Sequence, residues 1–191
     1  MTDAILTLLK DHILTNNPNT FQKGFSGARQ YDDGKVVIYD TGEGEYVGLQ
    51  DIKANYFYIR YLDTIGFTDP ENVDFSCFEV GGNEPLRLVA WVKNANFGKL
   101  AEVLMQDIMS LDFDTLSATD KERFADLRFE FVAMEPDFEE IYKAETGKEE
   151  IDKGLGSLKK VTLIAIDFNL IFNYQIKSST CVDRDVCSGC T

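Results

Sequence analysis

Apolar and polar residues alternate most regularly near the end of the chain, in Val161 to Ile176, VTLIAIDFNLIFNYQI. From Ile164 every even position is apolar or aromatic: Ile164, Ile166, Phe168, Leu170, Phe172, Tyr174 and Ile176. From Asp167 the odd positions are mostly polar: Asp167, Asn169, Asn173 and Gln175, with Ile171 the exception. A period of two marks a strand with one buried and one wet face. Before Asp167 both faces are apolar, through Val161, Leu163 and Ala165. That half is expected to lie sandwiched in a core, and the second half to run outward. Strands in soluble domains are usually about 5–6 residues long, and this one is far longer. Two explanations stand side by side. One is a long central strand; the other is a strand whose outer part projects to pack on a neighbouring subunit.

The remaining periodicity places the other elements. Ile5, Leu6, Leu9 and Ile13 recur at helical spacing within residues 2–16, with Thr2 or Asp3 as a cap and Asn16 to Pro18 as a stop. Residues 17–34 show no period and read as a loop or arm, whose Phe21, Phe25 and Tyr31 suit docking on their own domain or on a neighbour. Short strands are expected at Lys35–Asp40 and Asn55–Leu62, with a Gly-rich hairpin turn between them. A weaker strand, Asp74–Val80, is closed by Gly81 and Gly82, and a stronger one runs from Leu86 to Val92. Phe97, Leu100, Leu104, Ile108 and Leu111 line one face of a helix over 97–111, with Asn96 as its cap. A connector with room for a helical turn leads to a strand at Leu127–Met134. Residues 135–157 form a charged surface insertion with short helical pieces, and 178–191 a polar tail containing cysteine. The order predicts one α+β domain over residues 1–177, with helices packed on one side of a largely antiparallel sheet and a long C-terminal strand.

Composition narrows the function classes. Thirty-three acidic and nineteen basic residues give a net charge of −14. Gripping a phosphate backbone needs clustered Lys and Arg, and the chain offers only Lys159–Lys160. An acidic surface suits instead a passage through which DNA slides without sticking. Lys10 and Asp11 interrupt the first apolar stretch, so no signal peptide is read there. No window is long and apolar enough for a membrane span, and a soluble protein made in a cytoplasm is expected.

Candidate chemistry is sparse. Cys181, Cys187 and Cys190 form C-x5-C-x2-C, whose second half has zinc-knuckle spacing. A structural site needs a fourth ligand, for which Cys77, Asp183 or Asp185 is available. The same thiols equally suit a free reduced tail or a disulfide formed in an oxidising medium. The G-x-G in Asp40–Gly48 is surrounded by carboxylates and reads as a turn rather than a phosphate cradle. Asp112, Asp114 and Asp120 do not follow a calcium-loop pattern. The single histidine, His12, sits at the edge of the first helix's apolar face. No nucleophile elbow or zinc-protease motif is present. No catalytic residue and no cofactor are therefore expected.

The order of elements resembles the tail-terminator and head–tail connector family of tailed bacteriophages. The likeness is carried by the first helix (DAILTLLKDHILTN), a β-rich middle, a strand leading into a helix (LRLVAWVKNANFGKLAEVLMQDIM) and a closing strand (LIAIDFNLIF). Size and style are also similar to neck ring proteins of crAss-like phages. The insertion at Met134 to Leu158 and the cysteine tail depart from the smaller terminators. The resemblance implies a non-enzymatic virion protein, present in the host cytoplasm before assembly. It implies a homo-oligomeric ring of six or twelve subunits that contacts adjacent neck, portal-proximal or tail proteins. DNA passes through the lumen without specific binding, and no membrane is involved. Phe21, Phe25, Tyr31, Phe168, Phe172 and Tyr174 are then the candidates for subunit contacts. Two rival readings are a cytoplasmic adaptor with a zinc-organised tail, and a carboxylate-dependent hydrolase built on Asp112 to Asp120.

Overall fold

The sheet is built on two strands of equal length. In the computed structural model the described residues are 3–30, 35–40, 45–48, 54–62, 66–67, 77–148 and 161–177. In chain order they form α1 (Asp3–Asn16), β1 (Lys23–Gln30), β2 (Val36–Asp40), β3 (Glu45–Gly48), β4 (Tyr56–Tyr61), β5 (Gly66–Phe67) and β6 (Cys77–Lys93). These are followed by α2 (Phe97–Met109), α3 (Ala118–Arg123), β7 (Phe124–Glu135), α4 (Phe138–Thr146) and β8 (Val161–Lys177). The sheet runs β3-β2-β1-β4-β6-β8-β7, and β5 pairs with β6. Among these pairs only β1 with β4 is parallel.

β6 and β8 pair antiparallel along their whole 17-residue length, from Cys77 opposite Lys177 to Lys93 opposite Val161. On its other edge β8 pairs with β7 from Ala165 to Tyr174. Val161 to Ile164 at one end and Gln175 to Lys177 at the other run beyond β7. The length of β8 is thus used inside the sheet, as a long central strand requires.

The expected arm at 17–34 is instead largely the strand β1. Its period is hidden by two glycines and by a register shift between Phe25 and Ala28, which lets both residues face the same side. The expected strands at 74–80 and 86–92 are one strand, and Gly81 and Gly82 do not close it. Pro85 is tolerated inside it for a specific reason. Its carbonyl accepts from Leu62 N at 2.9 Å, so its nitrogen also points to the edge where β4 has just ended. The ladder to β8 therefore loses no donor there.

The sheet buries both faces. On one, α1 and α2 set Ile5, Leu9, Ile13, Leu100, Leu104 and Ile108 against Leu86, Leu88, Ile164, Ile166 and Phe168. Asn96 caps α2 by accepting from Lys99 N at 3.1 Å. On the opposite face α4, drawn from the charged insertion, lays Ile141 and Tyr142 over Tyr56, Tyr58, Trp91, Leu163 and Ala165. The class is α+β with a largely antiparallel sheet and a long C-terminal strand. The two long helices share one side, and the short α4 takes the other. α4 covers the half of β8 before Asp167, where the sequence is apolar on both faces. Beyond it Asp167, Asn169 and Asn173 are half-exposed.

Candidate functional site

The most concentrated polar chemistry lies beneath α4. Arg60 of β4 and Arg87 of β6 are directly opposite one another across the ladder, and Arg87 is in turn opposite Asp167 of β8. Like charges on facing cross-strand positions repel, so the pair needs carboxylates. Glu145, in the last turn of α4 and fully buried, supplies one between them. Its Oε2 accepts from Arg60 Nε at 2.9 Å and from the Tyr58 hydroxyl at 2.9 Å. Its Oε1 accepts from Arg60 Nη2 at 2.8 Å and, more weakly, from Arg87 Nη1 at 3.4 Å. Asp167 receives the fork of Arg87, with Nε donating at 2.6 Å and Nη2 at 2.8 Å. Two guanidinium groups thus meet two carboxylates. A buried ionic cluster is tolerated when its charges are matched and its lone pairs filled.

Local sequence aims α4 at this point. Asp137 caps it by accepting from Glu139 N and Glu140 N, and Gly147 ends it in the left-handed conformation at φ 66°. Gln30 Nε2 donates to the Ala144 carbonyl at 2.7 Å, and Lys35 and Thr146 form an isolated bridge. The surroundings favour the protonated form of Tyr58, Tyr56 and Arg87. Burial, reinforced by the Glu145 charge, pushes the Tyr58 hydroxyl well above the usual tyrosine range, and burial alone does the same for Tyr56. The hydrogen bond to Asp167 holds the Arg87 guanidinium still more firmly protonated. The cluster fastens a helix to a sheet.

Aromatic rings surround it. Tyr56 stacks on Trp91 at 5.9 Å between centroids, Trp91 meets Tyr142 at 6.3 Å, and Phe25 meets Tyr56 edge-on at 6.4 Å. The Trp91 Nε1 donor is buried without a hydrogen-bond partner. A smaller polar staple joins the other two helices. Asp107 of α2, itself buried, accepts from Asn16 Nδ2 at 2.9 Å and Asn17 Nδ2 at 2.5 Å. Beside it a cleft of about 260 Å³ opens near Asn17, Asn96 and Lys99.

The aromatic residues expected at subunit contacts are mostly inside this chain's own core. Phe21 packs edge-on against Phe57 at 5.0 Å, and Phe25 lies against Tyr56. Phe168 meets Phe129 at 5.3 Å and Phe172 meets Phe124 at 5.4 Å. All four are buried, and Tyr174 is half-buried against Phe124. β8 directs its even positions Phe168, Phe172 and Tyr174 at the α1–α2 face, where Phe21 also packs, while Phe25 lies in the cluster under α4. Tyr31 and the thiols Cys181, Cys187 and Cys190 lie outside the described residues, as do Asp183 and Asp185. Cys77 is the first residue of β6. His12 Nε2 lies 3.1 Å from Asn16 Nδ2. Asp112 accepts from Asp114 N, Asp114 pairs with Lys121 at 3.8 Å, and Asp120 accepts from the Ser117 hydroxyl at 2.6 Å. These carboxylates cap local turns. Among the described residues no group of three or more His, Cys, Asp or Glu is arranged to hold a metal ion, and no helix is long and apolar enough to cross a membrane.

Sequence reasoning passed over Arg60, Arg87, Asp167 and Glu145 as a set. The signal was present: Arg60 and Arg87 are lone charges inside strands, on the same parity as Tyr58 and Trp91, and such charges demand partners. The large exposed apolar side chains of the described residues lie elsewhere. Leu62 and, in α2, Met109 are exposed singly, and on the edge strand β7 Phe131 is 46% and Val132 56% exposed. A register shift lies between Phe131 and Ala133, and another between Ala125 and Arg128, where Asp126 has φ 54°. No protein-family model matches the chain, and no curated protein matches it.

Proposed function

We propose that this chain is a non-catalytic structural subunit that assembles into a closed ring in the neck or tail of a tailed bacteriophage, around the DNA channel. The observation that carries the reading is the exposure of Phe131 and Val132 on β7, at the opposite end of the sheet from β3. An edge strand that shows large apolar side chains to water is a site for a neighbour. The two register shifts bend β7 and discourage simple strand addition. The contact is therefore through side chains at the second shift, docking on a different surface of the next subunit. Contacts of this head-to-tail kind give a ring when the rotation between successive subunits closes.

Two further observations support a structural role. The main buried ionic cluster is internally neutralised and fastens α4, rather than facing a substrate cavity. The net charge of −14 suits a lumen that repels DNA phosphates. Negative-stain electron microscopy of the purified protein at high concentration tests the reading. Closed rings of six or twelve subunits, with a hole at least as wide as a DNA duplex, are expected. A chain that stays monomeric at high concentration, and also when mixed with the neighbouring neck proteins, overturns it.

A further inference from the structure

The ionic cluster is also the fastening of a cover. α4 spans nine residues, fewer than the roughly 12–15 at which isolated helices become even marginal in water. Its helical state therefore depends on docking. It docks on the smaller of the two apolar clusters, while α1 and α2 hold the larger one on the opposite face. No residue of α4 belongs to that larger core.

One feature makes leaving less costly than the burial suggests. Among the described residues the Trp91 Nε1 donor has no hydrogen-bond partner while α4 is docked. A buried N–H without an acceptor is a penalty of the covered state alone, and exposure removes it.

We propose that α4 is a displaceable cover, and that the strip beneath it is an interaction surface for a helical segment of a partner protein. The strip consists of Arg60, Arg87, Tyr56 and Trp91. Charge names the occupant's chemistry: with α4 away, Asp167 alone faces two guanidinium groups, and one further carboxylate is needed to balance them. The aromatic floor asks for an apolar or aromatic side chain one helical turn before that carboxylate, as Ile141 and Tyr142 stand to Glu145. A partner with an acceptor for the indole N–H gains a bond that α4 does not make. The inference stands independently of the ring reading.

Trp91 is the only tryptophan, so its fluorescence reports on the strip. Native-state hydrogen exchange on the full chain comes first. Amides of α4 are expected to exchange at least about tenfold faster than those in the middle of β6 and β8, through a separate opening. Equal rates overturn the proposal, because α4 then leaves only with the whole fold. The second measurement adds a synthetic peptide of residues 137–148 to a Glu145→Ala variant. Loosening the resident helix is necessary because it competes at high effective concentration. The peptide is expected to restore protection of Trp91 from acrylamide, and the same peptide carrying Glu145→Gln is not. Protection by neither peptide, or equally by both, overturns the assignment of a carboxylate-bearing occupant. If the variant does not fold, the exchange measurement on the unmodified chain still decides whether the cover opens.

Discussion

Gly82 and Phe172 face one another across β6 and β8, and the Phe172 ring occupies the space that a side chain at position 82 would need. The same arrangement recurs between parallel strands, where Gly24 is opposite Phe57 and a Cβ on it would lie 2.6 Å from the ring. In both cases a glycine lets a fully buried phenyl ring lie flat over the neighbouring backbone. Gly82→Ala is expected to destabilise the fold by about 1–3 kcal/mol through overpacking. Phe172→Ala is expected to cost about 3–5 kcal/mol. In urea unfolding the double variant should lose less than the sum of the two, because without the ring the added methyl has room. Strict additivity would show that the two positions do not share this space.

The Arg60–Glu145 pair should show up both as large single effects and as coupling. Among the described residues, removing Glu145 alone leaves Arg60 with no carboxylate acceptor, while Arg87 keeps Asp167. A double-mutant cycle with Arg60→Ala and Glu145→Ala is expected to give an interaction energy of about 1–3 kcal/mol. The same cycle on the exposed pair Arg128 and Glu130, 3.0 Å apart, is expected to fall below about 1 kcal/mol. Equal coupling in the two cycles would contradict the burial that distinguishes them.

Alkaline pH tests the tyrosines under α4. Tyr56 and Tyr58 keep their protons in the folded state above the usual tyrosine pKa, whereas in the unfolded chain they ionise near about pH 10. Above that pH the unfolded state binds fewer protons than the folded one, so stability falls as pH rises. Below it these two groups contribute no pH dependence. Tyrosinate absorbance should therefore show at least two of the eight tyrosines ionising only with unfolding. In a Tyr56→Phe/Tyr58→Phe variant the unfolding midpoint should move to higher pH. Titration of all eight while the fold persists would place both hydroxyls in contact with solvent.

Much of this architecture was legible in the residues. The parity switch at Asp167 marks where α4 stops covering β8, and the 3.6-residue period of Leu100, Leu104 and Ile108 marks the buried face of α2. What escaped did so for local reasons. β1 hides behind Gly24, Gly27 and a register shift, which place Phe25 and Ala28 on one face three residues apart. Gly81 and Gly82 read as a break, yet Gly82 fits a long strand because of the Phe172 ring across from it, and a neighbour is not visible in a linear pattern. The ionic cluster escaped for the same reason. Its four members come from β4, β6, α4 and β8, and only the ladder register brings them together. The long phenylalanine-rich face of β8 was open to two explanations, and burial decides for the interior one. Under the proposed assembly the subunit contact is therefore sought at Phe131 and Val132 rather than at Phe168 and Phe172.

Phe131 and Val132 then carry the sharpest test of assembly. Both side chains are about half exposed on an edge strand, so replacing them removes little burial from the monomer. A Phe131→Ser/Val132→Lys variant is expected to keep its unfolding free energy within about 0.5 kcal/mol per site, as ordinary surface changes do. It places a charge where an apolar contact is needed, and burying that charge in a subunit interface is strongly unfavourable. Size-exclusion chromatography with light scattering should show the unmodified chain as a closed oligomer and the variant as a monomer of unchanged stability. Rings that persist in the variant would move the subunit contact away from β7. A variant that unfolds would mean that these side chains support the monomer, and the edge would then cease to be a candidate for assembly.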